Sequence, residues 1–327
     1  MSGHLPFLLR PAAKSYLWGG SRLNDDFGKG IPLSPLAETW ECSTHPDGPS
    51  VLAETGESLA DVLAAHPEYL GTHPLATTGG KPELPILVKF IDAKADLSVQ
   101  VHPDDAYALA HENSLGKTEM WYVLAARKNA ELVYGFNRDM TPQLVREGLA
   151  EKRITQFLNR VPVHKDDVFY IEAGIVHAIG AGTLIAEIQE SSNLTYRLYD
   201  YDRTDKNGKK RPLHVQKALA VARLRSSAAP RQPMRLLRFH RGRASELLTR
   251  CKYFQVERML LNSEGRKMAD FRTGSNSFHV LLCTDGCGVL FGEGFMLNFF
   301  KGDCIFVPAD SIPLQLHGKA QLLNISC

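Results

Sequence analysis

The 327-residue chain is 44% hydrophobic and 23% charged, the composition of a soluble globular protein too long for one small core. A formal charge of +2 at pH 7 gives no general attraction to nucleic acid or to an anionic membrane, so neither is expected as a partner. No amino-terminal signal or long apolar span is visible, and the six cysteines (Cys42, Cys251, Cys283, Cys287, Cys304, Cys327) form no CxxC pair, so a cytoplasmic, reduced setting without a thiolate zinc centre is the expectation.

In chain order, residues 57–70 place Leu59, Val62, Leu63 and Tyr69 at helical spacing. Short runs rich in β-branched and aromatic residues follow at 84–91, 97–102, 119–126, 131–136, 167–174 and 183–190. Most end in Gly, Pro, Asn or Asp, as the strands of a barrel or sandwich do. Thr141 before Pro142 predicts a helix start that runs through residue 149. The KNGKKR run at 206–211 is the one dense basic cluster, readable as a solvated loop or as a wall of an anionic-substrate pocket. A further helix is predicted over 214–224. The small, polar, proline-containing stretch 225–233 then reads as a linker, and short glycine-separated strands fill the remainder, a second and smaller β-domain from about residue 234.

Side chains two apart on a strand share a face, so Gln100 and His102 point together while Val99 and Val101 point away. Glu119 opens another strand and His177 follows a Glu-Ala-Gly turn, so four possible metal ligands converge from three strands. Taken singly, a strand histidine is ordinarily a hydrogen-bonded core residue; the combination is what points to a metal. Two imidazoles, a carboxylate and an amide oxygen suit zinc, iron, nickel or manganese. On a divalent ion they leave one net positive charge with which to polarise a carbonyl or hydroxyl. His45, His111 and His164 lack ligand spacing. No HExxH, Walker loop, GxGxxG or Gly-x-Ser-x-Gly occurs, which removes the commonest protease, phosphate-loop, dinucleotide and hydrolase readings.

ETWE (38–41), LPILVKFIDA (84–93), LSVQVHPDD (97–105), GKTEMWY (116–122), AGIVHAIG (173–180) and AEIQESSNLTYRLYDYDR (186–203), in this order, resemble the type I phosphomannose isomerases of the cupin superfamily, in their short bacterial form. The resemblance implies a mainly β fold of two cupin-type jelly-roll barrels, with helical insertions in and after the first. Residues 1–230 would form the metal-binding catalytic cupin. Residues 234–327, which match only loosely through GDCIFVPAD and lack any H-x-H, would form a metal-free cupin-like β-domain. It implies a monomer or homodimer that interconverts mannose 6-phosphate and fructose 6-phosphate through an enediol with one zinc per chain. The ligands carried over are Gln100, His102, Glu119 and His177, although some short members count only the histidines and the glutamate. Arg197, Lys117 and Glu187 fall on catalytic positions. Ser98, Lys89 and Arg203 fall on phosphate-binding positions.

Two other readings compete. Two histidines and a glutamate also describe a non-haem iron oxygenase, but a fourth ligand at Gln100 and the basic side chains argue against it. A non-catalytic sugar-phosphate-binding cupin would keep the pocket without turnover, and Lys117, Glu187 and Arg197 count against that.

Overall fold

Strands hold 41% of the chain and helices 15%, so the expected mainly β class is present. The structure, a computed structural model, describes residues 3–327 except 206, 229, 231, 233, 264 and 266. Lys206 of the basic run and Ala229, Arg231 and Pro233 of the expected linker therefore lie outside the described residues.

Three antiparallel sheets stack in layers. The middle one has six strands, in spatial order Val168–Ile171, Glu119–Ala126, Thr183–Glu190, Ile86–Ala93, Glu38–Cys42 and Ala12–Lys14. Even-numbered side chains of its central strands (Val88, Phe90, Met120, Tyr122, Ala186, Ile188) share a core with Val256, Val280, Phe306 and Leu323 of a ten-stranded sheet. Odd-numbered ones (Ile91, Trp121, Val123, Ile185) pack with Leu132 and Val161 of a five-stranded sheet and with Leu97 and Ile179 beside its strands. Both faces being covered, Ile86–Ala93 and Thr183–Glu190 are buried at every position. The ten-stranded sheet is built mainly from residues beyond 238, but it also takes Phe7–Arg10 and Val51–Leu52 from the amino-terminal end.

The predicted helix over 57–70 forms as Leu59–Ala65 followed by a 3-10 turn at Pro67–Leu70. Pro67 explains the break, since it supplies no N–H and pushes His66 out of the helical region, to φ −130° and ψ 67°. Pro142–Ala150 starts as expected, with Thr141 Oγ1 accepting from the Leu144 N–H at 3.2 Å. An unpredicted helix, Asp105–Glu112, is capped by Asp104, whose carboxylate accepts from the Tyr107 N–H at 2.9 Å. Among the described residues no helix is long and apolar enough to cross a membrane.

Candidate active site

Sheet register lines the reactive side chains up in two facing rows. In the six-stranded sheet Lys89 lies opposite Trp40 on one side and Glu187 on the other, and Glu187 lies opposite Trp121. In the five-stranded sheet Gln100 lies between Arg197 and His177. Val99 and Val101 point into a separate outer core, which leaves Gln100 and His102 facing inward as the strand period predicts. His177 is aimed by the turn before it. Gly174, at φ +89°, donates its N–H to the His102 carbonyl at 2.9 Å and so ties the two histidine segments together.

Where the rows meet, ligand atoms of His102, Glu119 and His177 lie within 4.8 Å of one another, and all three residues are buried. His102 Nδ1 donates to the Leu194 carbonyl and His177 Nδ1 to the Ile175 carbonyl, each at 2.8 Å. Those bonds fix the tautomers and turn both Nε2 lone pairs toward the Glu119 carboxylate, at 3.6 and 3.3 Å. Burial holds both imidazoles below their ordinary range, His177 at about 4, so they are neutral and able to ligate. Neither Glu119 oxygen accepts an aligned hydrogen bond, although Lys117 Nζ lies 2.7 Å from Oε2. Two imidazole lone pairs thus converge on a buried carboxylate, with the Lys117 ammonium at one side, 3.4 Å from His102 Nε2. The residues therefore fit a divalent metal ion. Gln100 lies beside the cluster, its amide nitrogen 3.4 Å from His177 Nε2 and its amide oxygen accepting from Ser98 Oγ at 3.4 Å.

Next to this cluster runs a ladder of buried charge. Lys89 Nζ is 3.2 Å from Glu187, Lys117 Nζ is 3.8 Å from it, and Trp121 Nε1 donates to its other oxygen at 3.0 Å. Burial raises the Glu187 carboxyl, but the two ammonium groups outweigh burial and hold it below the usual carboxylate range. Burial and the facing Glu187 push Glu119 the other way. Removing an ion from water costs several kcal/mol, about what burying two or three large apolar side chains returns, so the site is sustained by the core around it.

A cavity of about 260 Å³ opens over the ladder, lined among others by Trp18, Ser98, Gln100, Lys117, Glu187 and Arg197. That is a little below the range of about 300–1,000 Å³ common for ligand pockets and suits a small polar ligand. Arg197 crosses its wall, donating from Nε to Ser98 Oγ at 3.3 Å and from Nη1 to the Pro212 carbonyl at 3.0 Å. The structure thus brings Lys89, Ser98, Gln100, Lys117, Glu187 and Arg197 to one cavity, while His102, Glu119 and His177 lie behind its lining, in contact with Gln100 and Lys117. Arg203 stands outside the lining. Its guanidinium is taken by Asp200, at 2.5 Å, and by the Asp96 carbonyl. Arg211, His214, Tyr16 and Glu38 line the cavity without having been singled out in the sequence. Only Arg211 had a signal, as the last residue of the basic run.

Comparison with known proteins shows the family. The family model of the type I phosphomannose isomerase catalytic domain matches residues 7–147. Mannose-6-phosphate isomerase ManA of Bacillus subtilis is 35% identical over 326 residues, which cover 97% of this chain and 98% of ManA. The chain belongs to the type I phosphomannose isomerase family. The mannose-6-phosphate isomerase of Streptococcus mutans is 42% identical over 219 residues, 66% of this chain and 67% of its own length. In structure, the crystallographic mannose 6-phosphate isomerase from Bacillus subtilis superposes with a TM-score of 0.88 at 32% identity, over 99% of this chain and 100% of that one. A phosphomannose isomerase from Salmonella typhimurium shares the fold at a TM-score of 0.77 and 16% identity, over 98% of this chain and 99% of that one.

Proposed function

We propose that this member of the family interconverts mannose 6-phosphate and fructose 6-phosphate, with a zinc ion on His102, Glu119, His177 and Gln100. The observation that carries the reading is the charge ladder of Lys89, Glu187 and Lys117 set directly beside two neutral histidines and a buried glutamate. An oxygenase would need the two histidines and the carboxylate but would have no use for the buried lysines. When bound, the cation would supply Lewis-acid stabilisation of charge developing on substrate oxygens.

The chain's own groups do the rest. In the aldose-to-ketose direction a base takes the C2 proton, the C–H electrons form the C1–C2 double bond, and the C1=O π electrons move to O1, which takes up a proton to complete the enediol. A proton is then delivered to C1 as the O2 proton leaves and C2=O forms. Glu187, ionised and facing the cavity, is the candidate for this transfer, with Lys117 as the partner that exchanges protons on the oxygens. Arg197 is placed to orient the opened sugar and offset oxyanion charge. With the two lysines paired to Glu187 and Glu119, the arginines at the rim are the candidates to meet the phosphate. Ser98 and Lys89 are the proposed phosphate contacts in the cavity, and Arg203 contributes from behind the wall rather than by touching the ligand. Residues 1–230 would then constitute the catalytic cupin and 234–327 a metal-free cupin-like unit. A small sugar phosphate is the partner and the cytoplasm the proposed setting, as a monomer or homodimer. The test is formation of fructose 6-phosphate before chelation, after chelation and after zinc is restored. Loss and recovery support both reaction and cofactor, and no turnover by the fully loaded protein refutes the reading.

A further inference from the structure

Arg211 reaches the cavity from the hairpin that follows the Tyr196–Tyr199 strand, and the reaction chemistry above does not use it. Its Nε and Nη2 both donate to Asp200, at 2.8 Å to Oδ2 and 2.6 Å to Oδ1. This side-on, two-point contact fixes the plane of the guanidinium and leaves its Nη1/Nη2 edge for another acceptor. Asp200 is only 5% exposed and also accepts from Arg203, which the Asp96 carbonyl anchors in turn. The hairpin's other contacts are internal or exposed. Thr204 bridges Lys210, the Asp205 carboxylate takes the N–H groups of Asn207 and Lys209, and Lys210 pairs with exposed Asp202. Beside Arg211, the Pro212 carbonyl is held by Arg197.

We infer that Asp200 is a positioning residue, which draws Arg211 out of the hairpin into the cavity wall beside Arg197 and holds its free edge ready for the anionic end of the substrate. The inference rests on the isomerase reading and deepens it: the hairpin, and not the barrel alone, sets the preference for a phosphorylated over a neutral sugar. Released from Asp200, Arg211 keeps its charge but loses its fixed plane, so the ligand would bear the cost of ordering a long side chain.

Two measurements on the zinc-loaded protein test this, calorimetric titration with inorganic phosphate and steady-state kinetics on mannose 6-phosphate. Asp200→Asn should weaken phosphate binding and raise KM by the same factor, about tenfold or more, while kcat stays within about threefold. In an Arg211→Ala background the same substitution should change neither quantity, because its effect passes through Arg211. A kcat that falls as far as kcat/KM would overturn the inference, and so would an undiminished Asp200→Asn effect in the Arg211→Ala background. If the wild-type protein binds phosphate but does not turn over mannose 6-phosphate, the isomerase reading fails and the titrations still decide the role of Asp200. If it binds no phosphate, the inference falls.

Discussion

Two demands on Glu187 pull against each other. Ionised, it pairs with the ammonium groups of Lys89 and Lys117; in the proposed role of base, it would have to accept a proton those same groups discourage. A substrate that draws a lysine toward its own oxygens would relax that restraint and make Glu187 more basic at the moment of transfer. Glu187→Gln keeps the shape and the Trp121 contact, and it should lower kcat by about 10²–10⁴-fold with the metal content unchanged, as steady-state kinetics with metal analysis would show. If Glu187→Gln and Lys117→Ala both turned over near the wild-type rate, the proton would be moving elsewhere. Glu119→Gln should instead abolish stoichiometric metal uptake, because it removes the one anionic ligand and leaves two neutral imidazoles. The metal candidates were readable from the sequence because the strand period alone puts Gln100 and His102 on one face. Arg211 was not, since its role depends on Asp200 catching it across a hairpin, and no periodicity encodes that contact.

Register turns separate strands into a site. The sequence shows that Lys89, Glu119 and Glu187 sit on strands, but not that Lys89 and Glu187 are opposite each other, because pairing partners almost a hundred residues apart leave no local trace. The even/odd division was hidden for a related reason: both faces of the middle sheet are covered, so its strands read as nearly continuous apolar runs instead of alternating ones. The Asp105–Glu112 helix was missed although its signal, Asp104 as a cap, lies inside LSVQVHPDD. Among turns, the one carrying Gly174 bears most on the site. Its φ of +89° suits glycine, and an added Cβ would lie 3.0 Å from the Val221 carbonyl oxygen and 3.1 Å from Arg223 Cγ. Gly174→Ala should destabilise the fold by about 1–2 kcal/mol in urea unfolding. It should also weaken metal binding, because the Gly174 N–H holds the His102 segment to the His177 turn. Unchanged metal affinity in a destabilised variant would show that the turn supports the fold but not the ligand geometry.

The three layers are joined by polar contacts as well as by the shared apolar core. The Tyr122 hydroxyl of the middle sheet donates to Asp166 and accepts from Arg258 at 3.2 Å and Gln321 at 3.0 Å, both in the ten-stranded sheet. On the other side Asp105 accepts from the Tyr253 hydroxyl at 2.8 Å and is hydrogen-bonded to Glu190, which takes the Thr118 N–H behind the active site. Burial and the facing Asp105 push the Glu190 carboxyl up to about 8, so the folded protein keeps a proton that the unfolded chain releases near 4.5. The stabilisation this gives is complete below pH 4.5 and is lost as pH rises toward about 8. Glu190→Gln should therefore gain stability over the wild type as pH climbs through that window, a divergence that thermal unfolding at stepped pH would reveal. Parallel curves would mean that Glu190 is ionised throughout. The account as a whole stands on one claim, that the cavity over the His102–Glu119–His177 cluster moves a proton between adjacent carbons of a sugar phosphate. Proton magnetic resonance of mannose 6-phosphate incubated in deuterated water with the zinc-loaded protein tests it most directly. The account predicts fructose 6-phosphate, with deuterium entering C1 to the extent that the base exchanges its proton with water; no fructose 6-phosphate from the fully loaded protein would contradict it.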